Sequence, residues 1–121
     1  MKLNEYPKAI AEAQTFLNDL DSQIANFKQR IYEIEGWVDS QIAGGDYKND
    51  THRKAARFEI LQSKSNYQAI LVDLDKLKDA RAKAMVEVEL LKNRYSVAKI
   101  EARAAIVAQL VGLESREILG V

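Results

Sequence analysis

Residues 44–50 read Gly44-Gly45-Asp46-Tyr47-Lys48-Asn49-Asp50. Two adjacent glycines loosen the backbone, and the acids and amide that follow favour local hydrogen bonds over a continued helix. The run predicts a chain reversal centred on Tyr47, because the segments on either side of it carry strong helical periodicity. On the N-terminal side, apolar residues fall at Leu3, Tyr6, Ile10, Ala13, Leu17, Leu20, Ile24, Phe27, Ile31, Ile34 and Val38. This three-four alternation, sustained for about five heptads, is the pattern of a coiled-coil helix. Pro7 is compatible with it near the helix start, where backbone amides have no intrahelical acceptor. The first helix is therefore expected over about residues 5–43.

On the other side, Asn49, Asp50 and Thr51 are each able to cap a helix start. A second stripe then runs Ala56, Ile60, Ser63, Tyr67, Ile70, Leu74, Leu77, Arg81, Ala84, Val88, Leu91, Tyr95, Ala98, Ala102 and Ala105, interrupted only by Ser63 and Arg81. It predicts a second helix over about 51–111, followed by a tail over 112–121. An antiparallel hairpin requires partners whose residue numbers share a constant sum. Val38 with Ala56, Phe27 with Tyr67, Leu17 with Leu77, Tyr6 with Val88 and Leu3 with Leu91 all give the same total, 94, which is twice 47. Glu35 then lies beside Arg57, an attractive pair, and Lys28 beside Lys64, a mildly repulsive one. Arg81 faces Ala13 with Glu12 next door, and is expected to act as a register pin, a polar seam residue that disfavours slipped pairings. The predicted class is all-α: a long antiparallel coiled-coil helical hairpin in a single domain.

Helix 1 ends opposite Leu91 in this register, so about 20 residues of helix 2 extend beyond it, roughly 30 Å. That extension carries Leu91, Tyr95, Ala98, Ala102, Ala105 and Gln109 on one face. A second copy in antiparallel contact would pair Leu91 with Gln109, Tyr95 with Ala105 and Ala98 with Ala102. Phe58, Leu61, Val72, Val86, Ile100 and Val107 are further expected on the outward face of helix 2, with Phe16 and Trp37 beside the helix 1 seam. This apolar surplus predicts a homodimer or higher oligomer assembling into a helical bundle. The competing arrangement breaks helix 2 near Asn93-Arg94 and folds the remainder back as a third helix.

Of the 121 residues, 47% are hydrophobic and 30% charged, a folding composition of one-domain size. Lys+Arg and Asp+Glu number 18 each, so no net field gathers nucleic acid or an anionic membrane, and any such contact must be local. Cysteine is absent, which removes disulfides and thiol chemistry. No apolar stretch has a bilayer-spanning length, and the N-terminus lacks a secretory pattern, so a soluble cytoplasmic protein with no membrane partner is expected.

No motif of enzymatic specificity is present, and neither a catalytic residue, a cofactor nor a metal is expected. His52 near Asp46 and Asp50 reads as an exposed polar turn rather than a metal site. The segment around Tyr47 lacks the spacing and terminal Glu of a calcium loop. His52, Arg53, Lys54 and Arg57 form a basic start to helix 2, a candidate phosphate or nucleic-acid contact that Lys92, Arg94, Lys99 and Arg103 would extend. Trp37, Tyr47 and Phe58, with Tyr32, gather near the hairpin tip. They either shield its last layers or anchor a protein partner, since aromatics beside arginine are typical of interface hot spots. Ser115-Arg116-Glu117-Ile118-Leu119 in the tail has the length of one helical turn and of a docking peptide.

Lys48-Asn49-Asp50-Thr51-His52-Arg53-Lys54-Ala55-Ala56, then Tyr67, and later Glu89-Leu90-Leu91-Lys92-Asn93-Arg94-Tyr95-Ser96-Val97 resemble the second helix of small helical-hairpin proteins of bacteriophages and mobile elements. The likeness covers about half the chain. It implies an accessory role around phage DNA metabolism or evasion of host defence, exerted by binding rather than catalysis. The expected function is thus a non-enzymatic, oligomeric coiled-coil protein that binds another protein as scaffold, adaptor or inhibitor, with a nucleic-acid-binding accessory as the alternative.

Overall fold

The structure is a computed structural model that describes residues 1–118, with side chains over 1–114. Every regular element is helical, as expected: a 3-10 turn over Leu3–Glu5, then α1 (Tyr6–Ala43), α2 (Asp50–Ser63) and α3 (Ser65–Ile118). Pro7 occupies the first turn of α1, where its missing amide costs no hydrogen bond. α1 ends as Gly44 N–H donates to Ser40 O (3.2 Å) and Gly45 N–H to Ile42 O (3.1 Å). A Cβ on Gly45 would strike the Tyr47 ring, so this glycine lets the turn fold its aromatic inward. Among the three candidate caps of α2 the structure uses Asn49, whose backbone is extended and whose side-chain Oδ1 accepts His52 N–H at 3.0 Å.

The expected continuous second helix is corrected: it is two helices, parted at Lys64, whose backbone is extended (φ −86°, ψ 102°). No glycine or proline causes the break. Polar side chains compete for the backbone instead. Ser63 Oγ donates to Ile60 O (2.7 Å), while Lys64 N–H (3.2 Å) and Gln68 Nε2 (3.2 Å) both donate to Leu61 O. Asn66 Oδ1 accepts Tyr67 N–H at 2.9 Å. The carbonyl left orphaned at the end of α2 and an amide at the start of α3 are thereby satisfied. Beyond this elbow α3 passes through Asn93-Arg94 unbroken, so the fold-back near that pair does not occur. Of the expected tail, residues 112–118 continue α3 and 119–121 lie outside the described residues.

The chain forms two compact units, Phe16–Lys83 and Met1–Thr15 with Ala84–Val121. In the first, Val38, Ile42, Leu61 and Tyr67 are the buried centre of a cluster that includes Ile31, Ile34, Tyr47, Ala56, Ile60 and Leu71. Leu61, expected on the outward face, is therefore a core residue: the bend at Lys64 turns the end of α2 toward α1. Contacts between helices run in opposite chain directions. Arg57 meets Asp39 (2.7 Å) and Glu35 (3.8 Å), Tyr67 meets Glu35 (2.7 Å), and Arg81 meets Asp21.

These pairs revise the expected register. The α2 contacts agree with Val38 opposite Ala56. Those of α3 do not: Tyr67 lies beside Glu35 instead of Phe27, and Arg81 pairs with Asp21 instead of facing Ala13. The second unit has the same displacement, since the Tyr6 ring stacks on Tyr95 (centroids 5.5 Å apart, 16° between planes), one heptad beyond Val88. α3 is thus slipped by about one heptad. The elbow consumes that length of chain without advancing along α1. In this second unit Tyr6, Ala84, Val88 and Leu91 are buried.

Candidate functional site at the elbow of α2 and α3

The bend at Lys64 does more than alter register. It holds the last turns of α2 and the first turn of α3 apart, opening a cleft of about 420 Å³ lined by Lys54, Arg57, Phe58, Leu61, Gln62, Tyr67, Gln68 and Leu71. Leu61, Tyr67 and Leu71 belong to or pack against the core cluster and form its apolar floor. Phe58, 64% exposed, stands on the wall with most of its ring in water. Gln62 and Gln68 add amides, and Lys54 and Arg57 add positive charge.

The two cations differ in what they have left to offer. Arg57 Nε donates to Asp39 Oδ1, and that bond, reinforced by the charges of Asp39 and Glu35, raises its pKa further above the ordinary arginine value despite partial burial. It is held as part of the wall. Lys54 has no ion pair among the described residues and is exposed. Tyr67, only 8% exposed, donates its hydroxyl to Glu35 Oε1 at 2.7 Å. Burial, which opposes the phenolate, and that hydrogen bond raise its pKa. Tyr67 therefore presents a neutral ring to the cleft, with its hydroxyl already committed.

The residues singled out from sequence are distributed unevenly over this geometry. Of the aromatic tip, Phe58 lines the cleft. Trp37 comes to the elbow by another route: its ring, 53% exposed, lies under Lys64 Nζ at 4.3 Å. Lys64 therefore contacts an aromatic face, where like charge on Lys28 was expected. Tyr47 packs against the core cluster. Within the basic start of α2, His52 and Arg53 are exposed, and Arg53 is paired with Asp50. The amide a phosphate would use is taken by Asn49. Only Lys54 and Arg57 reach the cleft.

On the far part of α3, Leu91 is buried, Tyr95 is stacked on Tyr6 beneath Lys99 Nζ (4.3 Å), and Ala98 and Ala102 are half-buried. Ala105 and Gln109 are exposed. Sequence reasoning missed the elbow itself, and with it Leu61, Gln62, Gln68 and Leu71. Its signal was Ser63 in an apolar stripe, followed by Lys64-Ser65-Asn66, a cluster of backbone-competing side chains. Among the described residues no group of acids and histidine is disposed to hold a metal ion, and no helix is long and apolar enough to cross a membrane. No protein-family model, curated protein or solved structure matches this chain, so the elbow has to be read from its own geometry.

Proposed function

We propose that this chain is a non-enzymatic binding protein: a long antiparallel coiled-coil hairpin whose elbow docks an amphipathic, acidic segment of another protein. The observation that carries the reading is the cleft, in which a largely exposed Phe58 and the apolar floor of Leu61 and Leu71 lie beside the unpaired Lys54. An apolar side chain of the partner gains by leaving water against Phe58, Leu61 and Leu71, while a neighbouring carboxylate meets Lys54. Trp37, under Lys64 near the same bend, extends the aromatic surface in the manner of interface hot spots. The resemblance to hairpin proteins of phages and mobile elements accords with such an accessory role. Nucleic acid is less favoured as a partner, because Asp50, Asp39 and Glu35 stand beside Arg53 and Arg57 and would repel a phosphate backbone.

The test places a photo-crosslinking group at Gln62 in the source cells and identifies the segments joined to it. Peptides of the captured segment should bind the purified protein, and Phe58→Ala and Lys54→Glu should each weaken binding on the order of tenfold or more at unchanged helicity. Binding indifferent to both variants would overturn the proposal. The chain is further proposed to self-associate: every residue over 103–114 is exposed, among them Ile106, Val107, Leu110, Val111 and Leu113. This is more contiguous apolar surface than a helix keeps in water without a partner.

A further inference from the structure

α3 carries a second three-four stripe, distinct from the one facing α1. Val86, Leu90, Val97, Ile100, Val107 and Val111 repeat at heptad spacing, and all six are between 38% and 66% exposed. Two remaining positions of the same stripe, Asn93 and Ala104, are exposed as well. The stripe lies wholly in the unit that contains Ala84–Val121 and spans residues 86–111, roughly 38 Å of helix. The face first expected to meet a second copy is less available: Leu91 is buried and Tyr95 is covered by Tyr6.

We infer that this second stripe is the self-association seam, and that its occupant is the same stripe of a second copy in antiparallel orientation. With the two-fold axis between Ala98 and Lys99, Val86 meets Val111, Leu90 meets Val107, Asn93 meets Ala104 and Val97 meets Ile100, each pairing occurring twice. Three of the four layers are apolar on both sides. In the fourth, Ala104 leaves room for the amide of Asn93 to reach water. A parallel pairing would instead set Asn93 on Asn93 and leave a gap where Ala104 meets Ala104.

The flanking charges agree with the antiparallel choice. Positions beside the seam bring Arg94 next to Glu101 of the second copy, twice by symmetry, and bring no like charges together at the equivalent sites. Within the chain neither Arg94 nor Glu101 makes an ion pair among the described residues. A cleft of about 290 Å³ is bordered by Arg94, Val97 and Glu101 together with Tyr6. It opens beside the centre of the seam, where Ile100 of the second copy arrives. The inference rests on the proposed self-association and specifies its surface.

Because the chain has no cysteine, single cysteines report this geometry directly. Val86→Cys mixed with Val111→Cys should give a disulfide-joined heterodimer on mild oxidation, and Val86→Cys alone should not join to itself, its two copies lying roughly 38 Å apart along the seam. Both sites are exposed, and helicity measured before oxidation guards against misfolding. Arg94→Glu should weaken the dimer on the order of tenfold, and the double exchange Arg94→Glu with Glu101→Arg should restore it. Self-joining of Val86→Cys would overturn the antiparallel seam. A dimer joined only by Ala98→Cys mixed with Ala102→Cys, the pairing of the first-expected face, would overturn this stripe while keeping self-association, and a monomer at every concentration would overturn both.

Discussion

Tyr67 shows how a single side chain unites several constraints. From sequence it was a seam position like any other. In the fold it is at once a buried core residue, a donor to Glu35 and part of the cleft floor. An unfolded tyrosine titrates near pH 10. Buried and bonded to Glu35, Tyr67 keeps its proton to higher pH. Above about pH 10 the unfolded chain therefore holds fewer protons than the folded one, and the stability Tyr67 contributes at lower pH is lost as pH rises through its folded value. Tyr67→Phe should cost about 1 kcal/mol at neutral pH, through loss of the hydrogen bond to Glu35, and should flatten the decline above pH 10. Urea denaturation of both proteins at pH 8 and at pH 10.5 measures this. Equal alkaline losses in both would show that the hydroxyl is not coupled to folding. Arg81 is a contrasting case, because its partner Asp21 is half-exposed and the pair lies at the surface. A pair this exposed contributes little to stability.

At the scale of elements, α1 conceals a weakness that its heptads do not reveal. Gly36 lies within the helix, and a Cβ there would meet nothing within 4 Å. Its only effect is to enlarge the conformational freedom lost on folding. Gly36→Ala should stabilise the protein by about 0.5–1 kcal/mol, seen as a rise of a few degrees in thermal midpoint. No rise would mean that α1 relaxes at Gly36 in solution. The elbow is the opposite case: a break made without glycine or proline, by Ser63, Asn66 and Gln68 binding backbone groups that a continuous helix would have used. Its presence is what turns a pair of helices into one with a cleft, since Leu61 and Leu71 form a floor only when α2 and α3 part between them.

For the whole molecule, the distribution of apolar surface matters more than its total. The proposed hairpin consumes one stripe of α3 and leaves the other in water, which is why a second copy is invoked. Self-association links stability to concentration, because a dimer that forms only from folded chains draws the unfolding equilibrium toward the native state. The thermal midpoint should therefore rise by several degrees between low-micromolar and millimolar protein. With Val97→Asp and Ile100→Asp together, at the centre of the seam, the midpoint should become independent of concentration. A wild-type midpoint that does not move would count against any dimer.

From the sequence alone came the helical class, the end of the first helix at the double glycine, the phase of the buried stripes and the candidate status of Phe58, Lys54 and Arg57. These are local matters: periodicity and turn chemistry are written in neighbouring residues. Register was not legible. A slip of one heptad returns every apolar residue to the same phase, so stripes that mesh with Phe27 beside Tyr67 mesh equally well with Tyr67 carried on to Glu35. The deciding term was the competition of a few hydroxyls and amides for the backbone at Lys64, weighed against the burial of Leu61 and Tyr67 on α1. That balance depends on which helices are brought together, and only the tertiary structure settles it.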